Sequence, residues 1–339
     1  MNQARIEVAL DPELSVGAFN AVNVCLRIQS TEKVTLVSDV ASRSIAASLA
    51  HEIEEVGAPY HVWELEELAP RPLKSAPREI LDDLETSQVS IFAICVQPHE
   101  LASRRQITEV ATRRRIRHAH MVNISKQIMM EGMRADFRQV DEIGTRILEI
   151  VNAGSLIKAS TRAGTNLVAQ FDPAHRWLKT SGIISPETWG NLPGGEVFTA
   201  PECVDGTFVV DGVVGDYLCA KYGDLRDAPL TIQIRGNRLV EVQSNNRELE
   251  EEFWRYTHTD ENSDRVGEFA IGTNVGVRHV IGNILQDEKI PGVHIAFGDP
   301  LGAYTGATWN STTHIDVVGT RFDVWVDDRQ LMREGGFLL

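Results

Sequence analysis

The first half of the chain alternates short apolar runs with longer segments in which apolar residues recur every three or four positions. The short runs are typical of buried strands, and the longer periodicity is typical of amphipathic helices. Strands are predicted at residues 34–40, 60–65, 89–96 and 120–124, and helices at residues 42–57, 79–87, 99–118 and 136–154. Because strands that alternate with helices form parallel sheets, residues 1–154 are predicted to be a parallel α/β scaffold domain that also offers an oligomerisation surface.

From residue 155 the pattern changes to short alternating or β-branched runs that are separated by turn residues, as in antiparallel sheets. Strands are predicted at residues 155–160, 166–172, 208–212, 230–234, 239–244, 313–318 and 322–328. Hairpin turns are predicted at residues 235–238 and 319–320, and helices at residues 247–256 and 277–286. We therefore predict that residues 155–339 form a mainly antiparallel, barrel-like β-domain.

Composition narrows the class of protein. The chain has 339 residues, of which 42% are hydrophobic and 24% are charged, as in ordinary globular proteins. No apolar run approaches the ~20 residues of a membrane span, and the first residues lack the basic-then-apolar pattern of a secretion signal. A membrane partner is therefore not expected, and a cytoplasmic location is predicted. The cysteines have no metal-ligand spacing and are predicted to be reduced thiols: Cys25, Cys95, Cys203 and Cys219.

The net charge and the absence of known motifs argue against nucleic-acid binding, nucleotide binding and a serine nucleophile. The net charge of −15 would repel a phosphate backbone, so nucleic acid is not an expected partner. One basic cluster is predicted to be a solvated helix face or a subunit contact: Arg104, Arg105, Arg113, Arg114, Arg115 and Arg117. The sequence has no GxGxxG, no GxxxxGK[ST] and no GxSxG, so nothing supports nucleotide binding or a nucleophile elbow.

The strongest candidate chemistry lies in residues 292–318, where two histidines and an aspartate stand among Gly, Ser and Thr residues. His314 and Asp316 are two positions apart, so in a strand their side chains leave the same face. Together with His294 they are candidate ligands of a divalent transition-metal ion. A His-x-Asp pair is more often hydrogen-bonded at a strand edge than bound to metal, so the prediction depends on further ligands.

Two carboxylates upstream supply such ligands. Glu196 follows Pro-Gly-Gly and begins the predicted strand EVFT, and Glu268 follows Gly267 ahead of a Gly-Thr-Asn turn. Either glutamate alone is more typical of a solvated strand end than of a ligand. With the three residues above they make three carboxylates and two imidazoles, which is too many for one closed tetrahedral zinc. The set suits two divalent ions ~3.5–4 Å apart that share a bridging carboxylate, as in metal hydrolases.

Four segments carry a family resemblance: NLPGGEVFTAPE, GEFAIGTN, VHIAFG and HID. They resemble the aminopeptidase T and aminopeptidase S type of metallopeptidase, in which an α/β half precedes a β-rich half with a two-metal site. The resemblance covers most of residues 155–325 and, in general layout, the first half. It implies the metal ligands Glu196, Glu268, His294, His314 and Asp316. It also implies that Tyr304 is the active-site tyrosine, although FGDPLGAY places it further from His294 than the family pattern does.

A branch of the same superfamily offers an alternative. The 2,5-dihydroxypyridine 5,6-dioxygenases resemble this chain in layout and in the final His-x-Asp, but they use one ferrous ion and dioxygen to open a pyridine ring. On that hypothesis His294, His314 and Asp316 form a two-His-one-carboxylate face around one Fe(II). The presence of both upstream glutamates favours the hydrolase, whereas the length of 339 residues is closer to that of the dioxygenase branch. A third hypothesis is a metal-stabilised binding protein without activity.

The favoured hypothesis is a hydrolase that cleaves an amide or peptide bond of a small-molecule or short peptide substrate. Two ions of zinc, cobalt or manganese would activate a bridging water and, with Tyr304, stabilise the developing negative charge on the carbonyl oxygen. Glu196 or Glu268 would carry the proton to the leaving amine. His279 is a candidate for orienting a ligand or acting as a base. The resemblance also suggests a homo-oligomer, a dimer or higher.

Overall fold

A computed structural model describes residues 8–187 and 190–339. Its strands are β1 (Val34–Ser38), β2 (Tyr60–Glu64), β3 (Val89–Ile94), β4 (Arg117–Val122), β5 (Leu156–Ser160), β6 (Asn166–Gln170), β7 (Leu178–Thr180), β8 (Gly190–Asn191), β9 (Glu196–Thr199), β10 (Cys203–Val210), β11 (Leu230–Arg235), β12 (Arg238–Gln243), β13 (Val266–Gly272), β14 (Gly292–Gly298), β15 (His314–Val318), β16 (Asp323–Val326), β17 (Arg329–Arg333) and β18 (Gly336–Phe337).

The α-helices are α1 (Ser15–Phe19), α2 (Arg43–Val56), α3 (Leu65–Leu68), α4 (Arg78–Leu84), α5 (Leu101–Arg114), α6 (Lys126–Met130), α7 (Phe137–Ala153), α8 (Asp216–Tyr222), α9 (Arg247–Tyr256), α10 (Ile284–Asp287) and α11 (Gly302–Thr305). Short 3₁₀ turns and one π-helical turn occur at Pro12–Leu14, Val40–Ser42, Gly132–Arg134 and Asn20–Cys25. Across the described ranges, no helix combines the length and the apolar character that a membrane crossing requires.

The chain divides into two compact units. The first comprises the described part of Met1–Arg138 together with Gly182–Gly194, and the second comprises Gln139–Ser181 and Gly195–Leu339. The sequence predicted a single boundary after residue 154. The structure instead groups nearly all of α7 with the second unit, and the chain returns to the first unit for a short segment that contains β8.

The first unit contains a parallel sheet of five strands in the order β2-β1-β3-β4-β8. Every residue of β1 and β3 is buried, because these strands lie inside the sheet, and this explains their continuous apolar runs. Helix α2 ends at Gly57, which adopts the left-handed conformation (φ 78°) that commonly closes a helix. The predicted parallel α/β layer is confirmed.

The second unit contains two antiparallel sheets. Their strand orders are β12-β11-β10-β6-β5-β16-β17-β18 and β15-β14-β13-β9-β7. Side chains from both sheets form one apolar core, which includes Phe208 and Phe322 from the larger sheet region and Phe269 and Phe297 from the smaller sheet. The predicted antiparallel, β-rich second half is confirmed, whereas its barrel-like closure stays a prediction.

One of the two predicted hairpin turns forms, whereas the other turn and one predicted helix do not. Gly236 and Asn237 join β11 and β12 with φ values of 55° and 66°, as a two-residue hairpin turn requires. Residues 319–320 do not form the predicted hairpin, because β15 pairs with β14 and β16 pairs with β5 and β17. The predicted helix at residues 277–286 is also wrong. Only the short α10 forms there, after Gly282 turns the chain at φ 75°.

Candidate metal centre

The five predicted ligands lie on four neighbouring strands of the smaller sheet, in the order β15-β14-β13-β9. Glu196 is the first residue of β9, Glu268 lies in β13 and His294 lies in β14. His314 and Asp316 both lie in β15, where their spacing of two puts them on one face, as predicted. The antiparallel register therefore brings together residues that are far apart in the sequence.

The alternation of side chains separates a polar face of this sheet from an apolar one. Phe269 follows Glu268, Ile295 follows His294 and Ile315 follows His314, and all three apolar residues belong to the core of the second unit. In the strand register, Ala296 pairs with Glu268 on one side and with Asp316 on the other. The small alanine side chain leaves room for these two carboxylates on the polar face.

Glu268 lies between the two imidazoles. Its Oε1 is 3.4 Å from Nε2 of His294, and its Oε2 is 3.8 Å from Nε2 of His314. His314 Nε2 is also 3.4 Å from Oδ1 of Asp316, and His294 Nε2 is 3.5 Å from Oε2 of Glu196. Within each of three overlapping groups the ligand atoms lie within 4.8 Å of one another: Glu196–Glu268–His294, Glu268–His314–Asp316 and Glu288–His294–Asp316.

The surroundings of His294 indicate that these residues fit a metal ion. Its side chain is 2% exposed, and Nε2 is buried without a hydrogen-bond partner although carboxylate oxygens surround it. A buried polar atom that lacks a partner costs about 1–3 kcal/mol. A cation held between this nitrogen and the nearby oxygens would satisfy the atom, and imidazole with carboxylate is a usual donor set for divalent transition metals. The residues present therefore fit a divalent metal ion.

A backbone carbonyl orients the second histidine. His314 donates from Nδ1 to the carbonyl oxygen of Asp299 at 2.9 Å, which directs Nε2 towards the centre. Burial lowers the pKa of His314, but Asp316 outweighs it and raises the pKa well above its usual range. Burial raises the pKa of Asp316, and the attraction of His314 lowers it to about 2. The His314 side chain is 29% exposed, so the centre opens to solvent on this side.

Sequence reasoning missed two residues of the centre, Glu288 and Lys289. Lys289 Nζ lies 2.7 Å from Oε2 of Glu196 and 2.5 Å from Oε1 of Glu288, and its side chain is 1% exposed. The other oxygen of Glu196 accepts a hydrogen bond from the Thr180 hydroxyl at 2.8 Å. Burial raises the pKa of Glu196, but Lys289 and the other partners lower it below its usual range.

Tyr304 and His279 belong to none of the three ligand groups. Tyr304 lies in α11, is 47% exposed, and lines a surface cleft with His175 and Arg176. His279 is exposed and lines another cleft, together with Asp211. Among the described residues that line these two clefts there is none of the five predicted ligands. The active-site role of Tyr304 and the orienting role of His279 stay predictions.

The fold and the centre define a metal-binding protein of mixed α/β and antiparallel β architecture. The sequence pattern of the thermophilic metalloprotease family (M29) matches residues 126–321, which is more than half of the 339 residues. The chain therefore belongs to the thermophilic metalloprotease family, as the resemblance predicted, and the match spans all five predicted ligands. No curated protein matches the chain.

Two solved structures are similar in fold over nearly their whole length. Wild-type AmpT from Thermus thermophilus is 20% identical, with 98% of this chain and 100% of that chain covered and a TM-score of 0.69. The 2,5-dihydroxypyridine dioxygenase from Pseudomonas putida KT2440 is 12% identical, with 97% and 98% covered and a TM-score of 0.69. At these identities the similarity establishes the fold only, and the equal TM-scores do not favour either protein.

Proposed function

We propose that this chain is a divalent-metal-dependent hydrolase that cleaves an amide or peptide bond of a small substrate, in the manner of the aminopeptidases it resembles. The observation that carries the proposal is the position of Glu268, whose two oxygens face His294 and His314 on either side. Membership of a metallopeptidase family supports it. Zinc, cobalt or manganese as the ion, a count of two ions, a cytoplasmic location and a homo-oligomer stay predictions from the sequence.

The chain's own residues have separate tasks in this proposal. A divalent ion, when bound, lowers the pKa of a water molecule and polarises a carbonyl group. Glu268, His314 and Asp316 would hold it, with Asp299 fixing the ring of His314. Both oxygens of Glu196 already accept hydrogen bonds, from Lys289 and from a threonine hydroxyl. Of the two glutamates predicted to move the proton, Glu268 is therefore the better candidate: Oε2, on the His314 side, would help to hold the ion, and Oε1, on the His294 side, would take the proton.

Access to the centre favours a small substrate that enters on one side. The exposed fraction of the side chain is 29% for His314 and 15% for Asp316, against 7% for Glu268 and 2% for His294. A substrate would therefore approach over β15, with its reacting carbonyl next to His314. The surplus of carboxylates would attract the free amine of an aminoacyl substrate.

A mononuclear iron dioxygenase is the second candidate. It is favoured by Asp316, which shares one ligand group with His314 and another with His294, because two imidazoles and one carboxylate are the usual ligands of such an iron. Glu268 weighs against it, since a carboxylate between the imidazoles adds an acceptor for the proton that amide hydrolysis must move.

The test is the release of amine from a panel of aminoacyl amides and short peptides. We expect hydrolysis that a chelator abolishes and a divalent ion restores. Asp316→Asn should lower kcat/KM by more than ~100-fold, beyond the loss seen for residues that only orient a ligand. Glu251→Gln is the matched control, since Glu251 forms an exposed pair with Arg247 on α9. Bound iron with oxygen uptake on hydroxylated aromatic rings, and no amine release, would establish the dioxygenase instead.

A further inference from the structure

A buried lysine stands among the candidate metal ligands. The side chain of Lys289 is 1% exposed, and its ammonium group contacts carboxylate oxygens of Glu196 and Glu288 at 2.7 and 2.5 Å. Burying an ammonium group is unfavourable unless oppositely charged groups surround it. Lys289 is therefore a fixed positive charge inside the cluster.

Lys289 forms an ion pair with a residue of two of the three ligand groups, and the ion pairs given above include no residue of the third. Glu196 belongs to the group with Glu268 and His294, and Glu288 belongs to the group with His294 and Asp316. The remaining group, Glu268–His314–Asp316, contains no residue that pairs with Lys289. The three groups are therefore unequal as cation sites.

We propose that the Lys289 ammonium takes the place of one of the two cations, so that this chain binds a single divalent ion at Glu268, His314 and Asp316. The buried Nε2 of His294, 3.4 Å from Oε1 of Glu268, borders this site and would be satisfied by the same ion. This inference rests on the metal-binding part of the proposed function, and it replaces the count of two ions that the sequence predicted. Residues on the Lys289 side, Glu196 above all, then hold the ammonium rather than a metal.

The contacts of Glu196 explain why a second ion is excluded. Its Oε1 accepts from Thr180 and its Oε2 accepts from Lys289, so both oxygens have a short partner. An ion bound between Glu196 and His294 would use the same Oε2, which lies 3.5 Å from His294 Nε2. The ion and the ammonium group would then be two cations in contact with one oxygen, and their repulsion is strong where water is excluded. Because Lys289 is buried, its head group cannot turn into solvent.

The experiment counts ions on the intact protein rather than its activity. Chelator-treated protein is loaded with Zn²⁺, dialysed, and analysed for zinc per chain, with calorimetric titration of Zn²⁺ as the second measurement. We expect one ion in the native chain and two in Lys289→Met, which keeps the length of the side chain and removes its charge. Lys179→Met is the matched control, since Lys179 pairs with Asp141 in the same unit, and it should keep one ion.

A second variant keeps the test decisive if Lys289→Met does not fold. Glu196→Gln should keep one ion, because Glu196 holds the lysine, whereas Asp316→Asn should lose it. Two ions in the native chain, or a fall from two to one in Glu196→Gln, would overturn the proposal. One ion in both the native chain and a folded Lys289→Met would show that the lysine does not exclude the second ion. A native count of one in a protein without amide hydrolysis would remove the proposed function and leave this inference standing.

Discussion

At the scale of single residues, the ion pair between Lys289 and Glu196 ties the start of β9 to the segment that precedes β14. The two groups are 2.7 Å apart, and both side chains are at least nine-tenths buried. Removing one partner of such a buried pair typically costs about 3–5 kcal/mol, because the other charge is left without a partner. The pair therefore fixes the orientation of the Glu196 side chain and also contributes a positive charge to the centre.

The buried histidines of the first unit give a prediction on pH. His118 contacts the Ser90 hydroxyl through Nδ1 at 2.8 Å, and burial lowers the pKa of His118 to about 4. Unfolding returns the pKa of His118 to about 6.5, so between these values the unfolded chain binds more protons. We expect the first unit to lose stability as the pH falls from 6.5 to 4, and His118→Gln to reduce this slope. The pH dependence of this stability is measured by urea unfolding that is monitored through the hydrogen exchange of β3 and β4 amides. Equal slopes in both proteins would contradict the prediction.

The residues of the centre could be predicted from the sequence only where a ligand type coincided with a strand pattern. His314 and Asp316 had both signals, and the structure places them together. Glu288 and Lys289 had neither, because a charged pair just before Pro291 is typical of a surface turn and the partner of Lys289, Glu196, is distant in the sequence. The prediction for Tyr304 depended on family spacing alone, and the structure places its side chain at the surface.

At the scale of elements, the position at which β9 begins decides where Glu196 points. Gly195 precedes it with φ 137°, donates its N–H to the carbonyl of Thr180 and accepts from the N–H of Thr273. A Cβ on Gly195 would lie 2.7 Å from Cβ and 2.8 Å from the backbone nitrogen of Asn274. The glycine is therefore needed both for its conformation and for the close approach of two backbones.

We accordingly predict that Gly195→Ala destabilises the strand that carries Glu196. Backbone strain at such a φ costs about 1–3 kcal/mol, and the contact with Asn274 adds to it. Gly236→Ala is the matched control, because Gly236 also has a positive φ but nothing within 4 Å of its added Cβ. Gly195→Ala should accelerate hydrogen exchange of the β9 amides. This increase should be much larger than the increase that Gly236→Ala causes in the β11 and β12 amides. Similar effects in the two variants would mean that the close approach does not matter.

The elements that periodicity predicted correctly are those that bury one full face. Helix α9 was predicted with its observed bounds, because its apolar residues Leu249 and Phe253 are four apart and face the core. The strands β7 and β8 have three and two residues, which is too short for any period to appear. The helix predicted at residues 277–286 failed because Asp287 instead accepts hydrogen bonds from the N–H groups of Ile281 and Asn283, which holds this segment in a turn.

At the scale of the whole molecule, every residue of the centre belongs to one unit. The chain leaves the first unit at Gly194, and Glu196 follows two residues later in the second. Glu268, His294, His314 and Asp316 all come from the second unit as well. The parallel sheet contributes no ligand among the described residues, so metal loading is expected to be a property of the second unit.

This division gives a prediction on metal removal. The residues that would hold the ion, Glu268, His314 and Asp316, lie in β13 and β15, and a ligand present at 100 times its Kd stabilises a fold by about 2.7 kcal/mol. Adding Zn²⁺ to chelator-treated protein should therefore slow hydrogen exchange in β13, β14 and β15, while β1 and β3 in the first unit exchange as before. Asp316→Asn should abolish the slowing in the second unit. Equal slowing in both units would show that the ion stabilises the chain as a single body, and that the two units do not unfold separately.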